Sequence, residues 1–255
     1  MILDRIVAEK WHEHSRRDPV RLDELWAEIA KLPPARPLAA AIRTPGTLRV
    51  IAEFKRRSPS AGAIRPGANP ADVARRYERA GAAAISVLTD ASFFDGSLAD
   101  LTAVHLATGV PVLRKDFLLD ERDLLQARLR GADAVLLIVR ILDAATLRAL
   151  LEVARRAGLA ALVEAHSDAE IEGALAAGAE IIGVNHRDLD TLAIDLSLSA
   201  RARALAPNAI LVGESGIQTR AHVDQMRAHG VDAILVGESL LRAPDPGVAL
   251  AELIA

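Results

Sequence analysis

From Leu48 onward the chain repeats one pattern eight times: a short apolar run, often β-branched, then a longer amphipathic stretch. The runs fall at 49–54, 84–88, 111–115, 134–138, 160–164, 181–185, 210–214 and 233–237. Near-continuous apolar runs belong to strands covered on both faces, as in parallel sheets, and each spacer has room for the crossover helix such strands require. The helical patterns before five of the runs close on a glycine, at Gly81, Gly131, Gly158, Gly178 and Gly230. Glycine tolerates the left-handed conformation that ends a helix, so these are five copies of one helix-to-strand turn. Eight such units close most simply into a (β/α)8 barrel, a fold of class α/β with its chemistry on the loops after the strands. A doubly wound sheet would want a glycine-rich turn after its first strand, and Lys55-Arg56-Arg57-Ser58-Pro59-Ser60-Ala61-Gly62 is not one.

A length of 255 residues suits one barrel domain, 1–255, in which residues 1–47 form an N-terminal helical extension. Ile2, Leu3, Ile6, Val7 and Trp11 recur at helical spacing, and that helix could lie across the barrel mouth or pack on its side. Its Trp11 and Ile6 stripe has no place in the eightfold repeat, so a lid is one expectation. The prolines at 33, 34 and 37 stiffen a connector before a second short helix and the Thr44-Pro45-Gly46 turn.

Several functions are excluded early. Without cysteine there are no disulfides, thiolate nucleophiles or Cys-ligated metals. A net charge of −3 leaves no basic field for nucleic acid or an anionic membrane. No apolar run is long enough to span a bilayer, and Asp4 and Arg5 interrupt the N-terminus, so a cytoplasmic protein without signal peptide is expected. The histidines suggest no metal site. His12 and His14 are two apart on a helix, His222 and His229 sit on an outer helix, and His186 is read as the one near the mouth, pointing away.

Only four of the 31 basic residues are lysines: Lys10, Lys31, Lys55 and Lys115. Where arginine serves general needs, a retained lysine invites attention, because an ammonium can be desolvated and made to give up its proton.

Residues two apart on a strand share a face, which sends Glu53, Lys55, Lys115, Glu164, Asn185 and Glu214 into the barrel at its C-terminal end. Glu53 with Lys55 could by itself be a structural ion pair. Five inward ionisable groups at one end, against Arg49, Asp133 and Asp232 near the other, point to catalysis. A lysine lowered in pKa by burial and neighbours is expected to supply an acid, and a glutamate a base. Ser215-Gly216 and Gly237-Glu238 occupy the loops where barrels commonly cradle phosphate, with Lys55 and Ser58 across the mouth. Phe94, Phe117 and Leu189 offer apolar surface for a planar ring, and Arg187 stands nearby.

Ile51–Gly62, Pro111–Phe117, Leu162–Glu164, Gly183–Leu189 and Glu214–Ile217 together closely resemble the motifs of indole-3-glycerol phosphate synthases, and the resemblance runs from about Met1 to Ile254. It implies a cofactor-free conversion, in tryptophan biosynthesis, of 1-(o-carboxyphenylamino)-1-deoxyribulose 5-phosphate to indole-3-glycerol phosphate, CO2 and water. Carried over residue by residue, it makes Lys115 the acid that protonates the ketone oxygen, and gives Glu164 and Lys55 the later proton transfers. Glu53 and Asn185 would orient these groups and bind sugar hydroxyls, with Glu214 and Ser215 beside them. It adds Arg187 as support for the substrate carboxylate or its loop, while Ser58, Phe94, Phe117 and Leu189 are expected from their positions to contact substrate, and Lys55, Gly216, Gly237 and Glu238 its phosphate. Other enzymes of the pathway are the partners it allows. Two positions depart from the family pattern: His186, often asparagine, and Ala61, often lysine. The rival readings are another phosphosugar barrel such as a phosphoribosylanthranilate isomerase, a Schiff-base aldolase working through Lys115, and a non-enzymatic binding protein on a retired barrel.

Overall fold

Apolar runs that need cover on both faces obtain it here by closing on themselves inside a ring of helices. The structure, a computed structural model, describes residues 2–188 and 191–255. Its strands are β1 (Arg49–Phe54), β2 (Arg57–Ser58), β3 (Gly62–Ala63), β4 (Ala84–Leu88), β5 (Val112–Lys115), β6 (Ala134–Ile138), β7 (Ala160–Ala165), β8 (Ile181–Asn185), β9 (Ile210–Glu214) and β10 (Ala233–Val236). The eight long ones are the expected strands to within a residue. They pair in parallel in chain order, and β10 closes on β1 from Arg49 opposite Ala233 to Ala52 opposite Val236. The ribbon β2–β3 lies in the first strand-to-helix loop and was not anticipated, because two-residue strands carry no periodic signal.

The helices are α1 (Ile2–Ser15), α2 (Leu22–Ile29), α3 (Leu38–Ile42), α4 (Pro70–Arg79), α5 (Ala91–Phe94), α6 (Leu98–Ala107), α7 (Glu121–Leu129), α8 (Ala144–Arg156), α9 (Asp168–Ala177), α10 (Leu198–Leu205), α11 (Arg220–Ala228), α12 (Glu238–Arg242) and α13 (Pro246–Ile254). The five closing glycines all take positive φ, between 72° and 95°. At Gly131 a Cβ would also stand 2.6 Å from the His105 ring, so sterics and backbone agree there. None of these helices is long and apolar enough to cross a membrane.

Alternation along each strand makes two cores. Phe54, Val87, Leu137 and Leu211 face outward and pack with Tyr77, Leu101 and Leu125 of the helices. Ile51, Leu113, Leu136, Leu162 and Val212 fill the barrel. At the bottom that inner core is closed by α3, whose Leu38 and Ile42 are fully buried against it. Burying each such side chain stabilises by roughly 1.5 to 3 kcal/mol. The short helix was expected; its use as a plug was not.

The rest of the extension straps the outside of the barrel. Helix α2, also unanticipated, packs on α7, where Trp26 Nε1 donates to Glu121 Oε1 at 2.7 Å and the Arg156 guanidinium stacks on the indole. Helix α1 lies at the mouth, with Ile2, Leu3 and Ile6 against the central cavity. The stripe expected to include Trp11 runs instead through Leu3, Ile6 and Lys10; Trp11 is 54% exposed, one position too far round the helix.

Candidate active site

The inward alternation at the strand ends converges as the sequence implied. Glu53 from β1, Lys55 just beyond it, Lys115 ending β5, Glu164 on β7, Asn185 ending β8 and Glu214 ending β9 line one cavity of about 370 Å³. Lys115 Nζ lies 3.0 Å from Glu164 Oε2 and 3.4 Å from Glu214 Oε2. Asn185 Nδ2 donates to Glu164 Oε1 at 3.2 Å, while the Arg187 N–H donates to Asn185 Oδ1 at 3.1 Å and so fixes which way that amide faces. Lys55 Nζ sits 2.6 Å from Glu53 Oε1.

The remaining expected residues meet the same cavity: Ser58, Phe94, Phe117, Arg187, Ser215, Gly216, Gly237 and Glu238. Leu189 lies outside the described residues. Phe94 and Phe117 form an aromatic wall with ring centroids 6.1 Å apart. Ser215 and Gly216 both take positive φ, at 63° and 75°, so their backbone is held in an unusual turn after β9. A Cβ on Gly237 would stand 2.6 Å from Glu53 Oε1, which gives this glycine a second duty beside any phosphate. The Glu238 carboxylate accepts from Arg242 Nε at 3.0 Å.

The electrostatics correct one expectation. Burial alone would lower the Lys115 pKa, but Glu164, Glu214 and Glu53 outweigh it and hold the lysine above its ordinary value. The expected lowering counted burial without knowing how many carboxylates surround one ammonium. Burial would likewise raise Glu164, yet Lys115 and His166 hold it below the usual carboxylate range. Glu214, buried between Lys115 and the other two glutamates, is pushed up by desolvation and by its like-charged neighbours. Its Oε1 accepts no hydrogen bond from the described residues. The mouth therefore holds an ammonium, a carboxylate and a carboxyl group inclined to stay protonated within one contact distance.

The structure corrects the reading of histidine in one place and adds to it in another. His186 does point away, its ring nitrogens 3.0 Å from the Ser215 carbonyl and 2.7 Å from Ser199 Oγ. It is not alone near the mouth: His166, one residue past β7, places Nε2 3.2 Å from Glu164 Oε1. One more step of the alternation that placed Leu162 and Glu164 inward would have found it. His14 lies 3.3 Å from both Asp120 and Asp123, a grouping that could hold a metal ion, although Arg17 already stands 2.8 Å from Asp123. Those aspartates are far away in sequence, so spacing could not reveal the cluster.

Of the four lysines, Lys31 is an exposed partner of Glu28, and Lys10 is buried without reaching the cavity. Lys10 Nζ lies 2.8 Å from Asp90 and 3.1 Å from Asp116. Asp90 caps α5 by accepting from the Phe93 N–H at 2.7 Å, and Asp116 accepts from the Phe117 N–H at 2.9 Å. One ammonium from α1 thus clasps both loops that carry the aromatic wall.

The profile of the family described as indole-3-glycerol phosphate synthase matches residues 3–253. A protein named indole-3-glycerol phosphate synthase 2, from Streptomyces coelicolor, is 48% identical, the match covering 99% of this chain and 98% of that protein. An indole-3-glycerol phosphate synthase from Syntrophobacter fumaroxidans is 44% identical over 98% of this chain and 96% of its own. Among solved structures, 3-hexulose-6-phosphate synthase has a TM-score of 0.64 at 16% identity, covering 81% of this chain and 98% of that one. Thiamine phosphate pyrophosphorylase from Pyrococcus furiosus has a TM-score of 0.62 at 19% identity, covering 81% and 93%. At such identities these two speak for the barrel alone.

Proposed function

The chain belongs to the indole-3-glycerol phosphate synthase family, and from that premise we infer how its mouth converts 1-(o-carboxyphenylamino)-1-deoxyribulose 5-phosphate to indole-3-glycerol phosphate, CO2 and water. Attack of the aromatic ring carbon on the ketone turns the carbonyl oxygen into an alkoxide, which needs a proton. Lys115 supplies it. Its raised pKa keeps the proton in place at neutral pH, and an alkoxide is basic enough to take it. Loss of CO2 then returns electrons to the ring. Dehydration follows, with an acid at the leaving hydroxyl and a base at the ring proton. Glu164 is the ionised group suited to the base, and Lys55, bound to Glu53, serves the leaving hydroxyl.

The observation that carries this reading is Lys115 Nζ held 3.0 Å from Glu164 and 3.4 Å from Glu214 beside the Phe94–Phe117 wall. It also counts against the Schiff-base aldolase, whose lysine must be a free amine to attack a carbonyl. Phosphate is assigned to the turns at Ser215-Gly216 and Gly237-Glu238, with Lys55 and Ser58 opposite. Asn185 and Glu53 orient the sugar, and Arg187 supports the substrate carboxylate. Helix α1 is the lid, and the pathway's other enzymes, in the cytoplasm, are the partners. Purified protein mixed with the carboxyphenylamino-deoxyribulose phosphate should generate indole fluorescence; silence with folded protein would refute the activity, and borohydride trapping of substrate on Lys115 would replace acid catalysis by a covalent route.

A further inference from the structure

His166 is buried and outside the cavity wall, directly behind Glu164. Its Nε2 lies 3.2 Å from Glu164 Oε1 and its Nδ1 3.2 Å from Glu170 Oε2, so both ring nitrogens face carboxylate oxygens. Only the imidazolium carries a donor at each nitrogen; a neutral ring would turn a lone pair toward one carboxylate. The ring is itself held, because Glu170 Oε2 also accepts the His166 backbone N–H at 2.8 Å, and Glu170 Oε1 accepts from Arg140 Nε at 3.0 Å. Asn185 donates to Glu164 Oε1 and the His166 ring stands in charge contact with the same oxygen, leaving Oε2 to Lys115.

We infer that His166 is a positioning residue for the reaction: clamped between Glu164 and Glu170, its imidazolium fixes the plane of the Glu164 carboxylate so that Oε2 stays directed at Lys115 and the substrate. This rests on the assignment of proton transfer to Glu164. The charged groups that bear on the ring are Glu164 on its own strand, Glu170 on α9 with Arg140 beyond it, and Lys115 from β5 on the far side of Glu164. Burial disfavours the charge on His166, but the two glutamates outweigh it and raise its pKa to about 9. Turnover should therefore weaken on the alkaline side as the ring loses its proton. Glu214 has its own shift in the alkaline direction, so variants at His166 are needed to identify the limb that belongs to the ring.

The test measures kcat and KM for His166→Leu, His166→Gln and Glu164→Gln across roughly pH 6 to 10. His166→Leu, with no donor, should lose about tenfold to a hundredfold in kcat with KM nearly unchanged, since the ring does not touch substrate. His166→Gln keeps a donor that does not titrate, so it should recover most of the turnover and lose the limb near pH 9. A limb of unchanged position in His166→Gln overturns the inference, as does His166→Leu with wild-type kcat or with a loss confined to KM. Should His166→Leu fail to fold, His166→Gln decides alone. Near-normal turnover in Glu164→Gln would instead remove the assignment of Glu164 and the inference with it; an inactive Glu164→Gln beside an indifferent His166 overturns only the latter.

Discussion

The two ends of the barrel hold carboxylates in different ways. At the bottom, Asp133 accepts the backbone N–H groups of Arg36 and Val112 at 2.8 and 2.9 Å, and Asp232 accepts the Leu211 N–H at 2.9 Å and Arg203 at 2.7 Å. Most of these donors are main chain and cannot leave, so the acids act as rivets between strands and connectors. At the mouth, Glu164 and Glu214 share the Lys115 ammonium, Glu164 also meets Asn185 and His166 on its other oxygen, and one Glu214 oxygen has no donor from the described residues. All of these partners are side chains, so the shared lysine contact can be exchanged when substrate enters. A carboxylate tied to backbone stabilises a geometry, whereas one that shares a lysine with its neighbours has its protonation state open to change. The difference separates scaffold from chemistry more sharply than burial does, since Asp133 is as buried as Glu214.

The largest effect that should separate the ends is at Lys115. Lys115→Arg keeps the charge but offers a guanidinium that does not release its proton near neutral pH, so kcat should fall by roughly a hundredfold to ten-thousandfold with KM little changed. Near-normal turnover would remove Lys115 from the acid role. Lys10→Met should act on the aromatic wall instead, leaving Asp90 and Asp116 without their common cation. We expect about a tenfold rise in KM for substrate with the affinity for inorganic phosphate unchanged, read by inhibition kinetics. Equal weakening of both would mean general loosening. Asp133→Ala should spare kcat per folded molecule and lower stability by about 2 to 4 kcal/mol in urea titration, because two N–H groups lose their acceptor. A loss of turnover without loss of stability would erase the distinction drawn between the ends.

The smallest effect concerns pH. His166 binds its proton more tightly folded than unfolded, so its contribution to stability is complete below its ordinary value of 6.5 and is lost as pH rises through about 9. Glu214, also raised, adds a loss in the same alkaline direction, while Glu164, lowered, contributes above its ordinary value of 4.5 and loses that contribution in acid. The thermal midpoint should decline from about pH 7 to 10, less steeply in His166→Gln. An equal decline in both proteins would show that the imidazolium contributes nothing there.

Gly237→Val is a poor probe of the phosphate loops, because its side chain would strike Glu53 and disturb kcat as well as KM. Competition by inorganic phosphate against substrate tests the phosphate site without that ambiguity.

Strand ends and their inward direction were legible because alternation is local and the mouth residues sit where a strand otherwise ends in Val, Ile or Leu. The destination of Lys10 was not, since Asp90 and Asp116 reach it only after two strands and the N-terminal helix have been assembled. The sign of the Lys115 shift depended on distances among three glutamates from different strands, which no spacing encodes. His166 lies within reach of the alternation rule, two residues beyond Glu164 and just past the end of β7.

The plug at the bottom also bears on how the chain is made. Leu38 and Ile42 emerge from the ribosome before any barrel strand, yet the side chains they pack among run from Ile51 to Leu235, the latter on β10. Their binding site is therefore incomplete until the last strand has been synthesised and has paired with β1. Through most of translation these two side chains must wait in solvent or in the care of a chaperone, and ring closure and docking of α3 then become nearly one event.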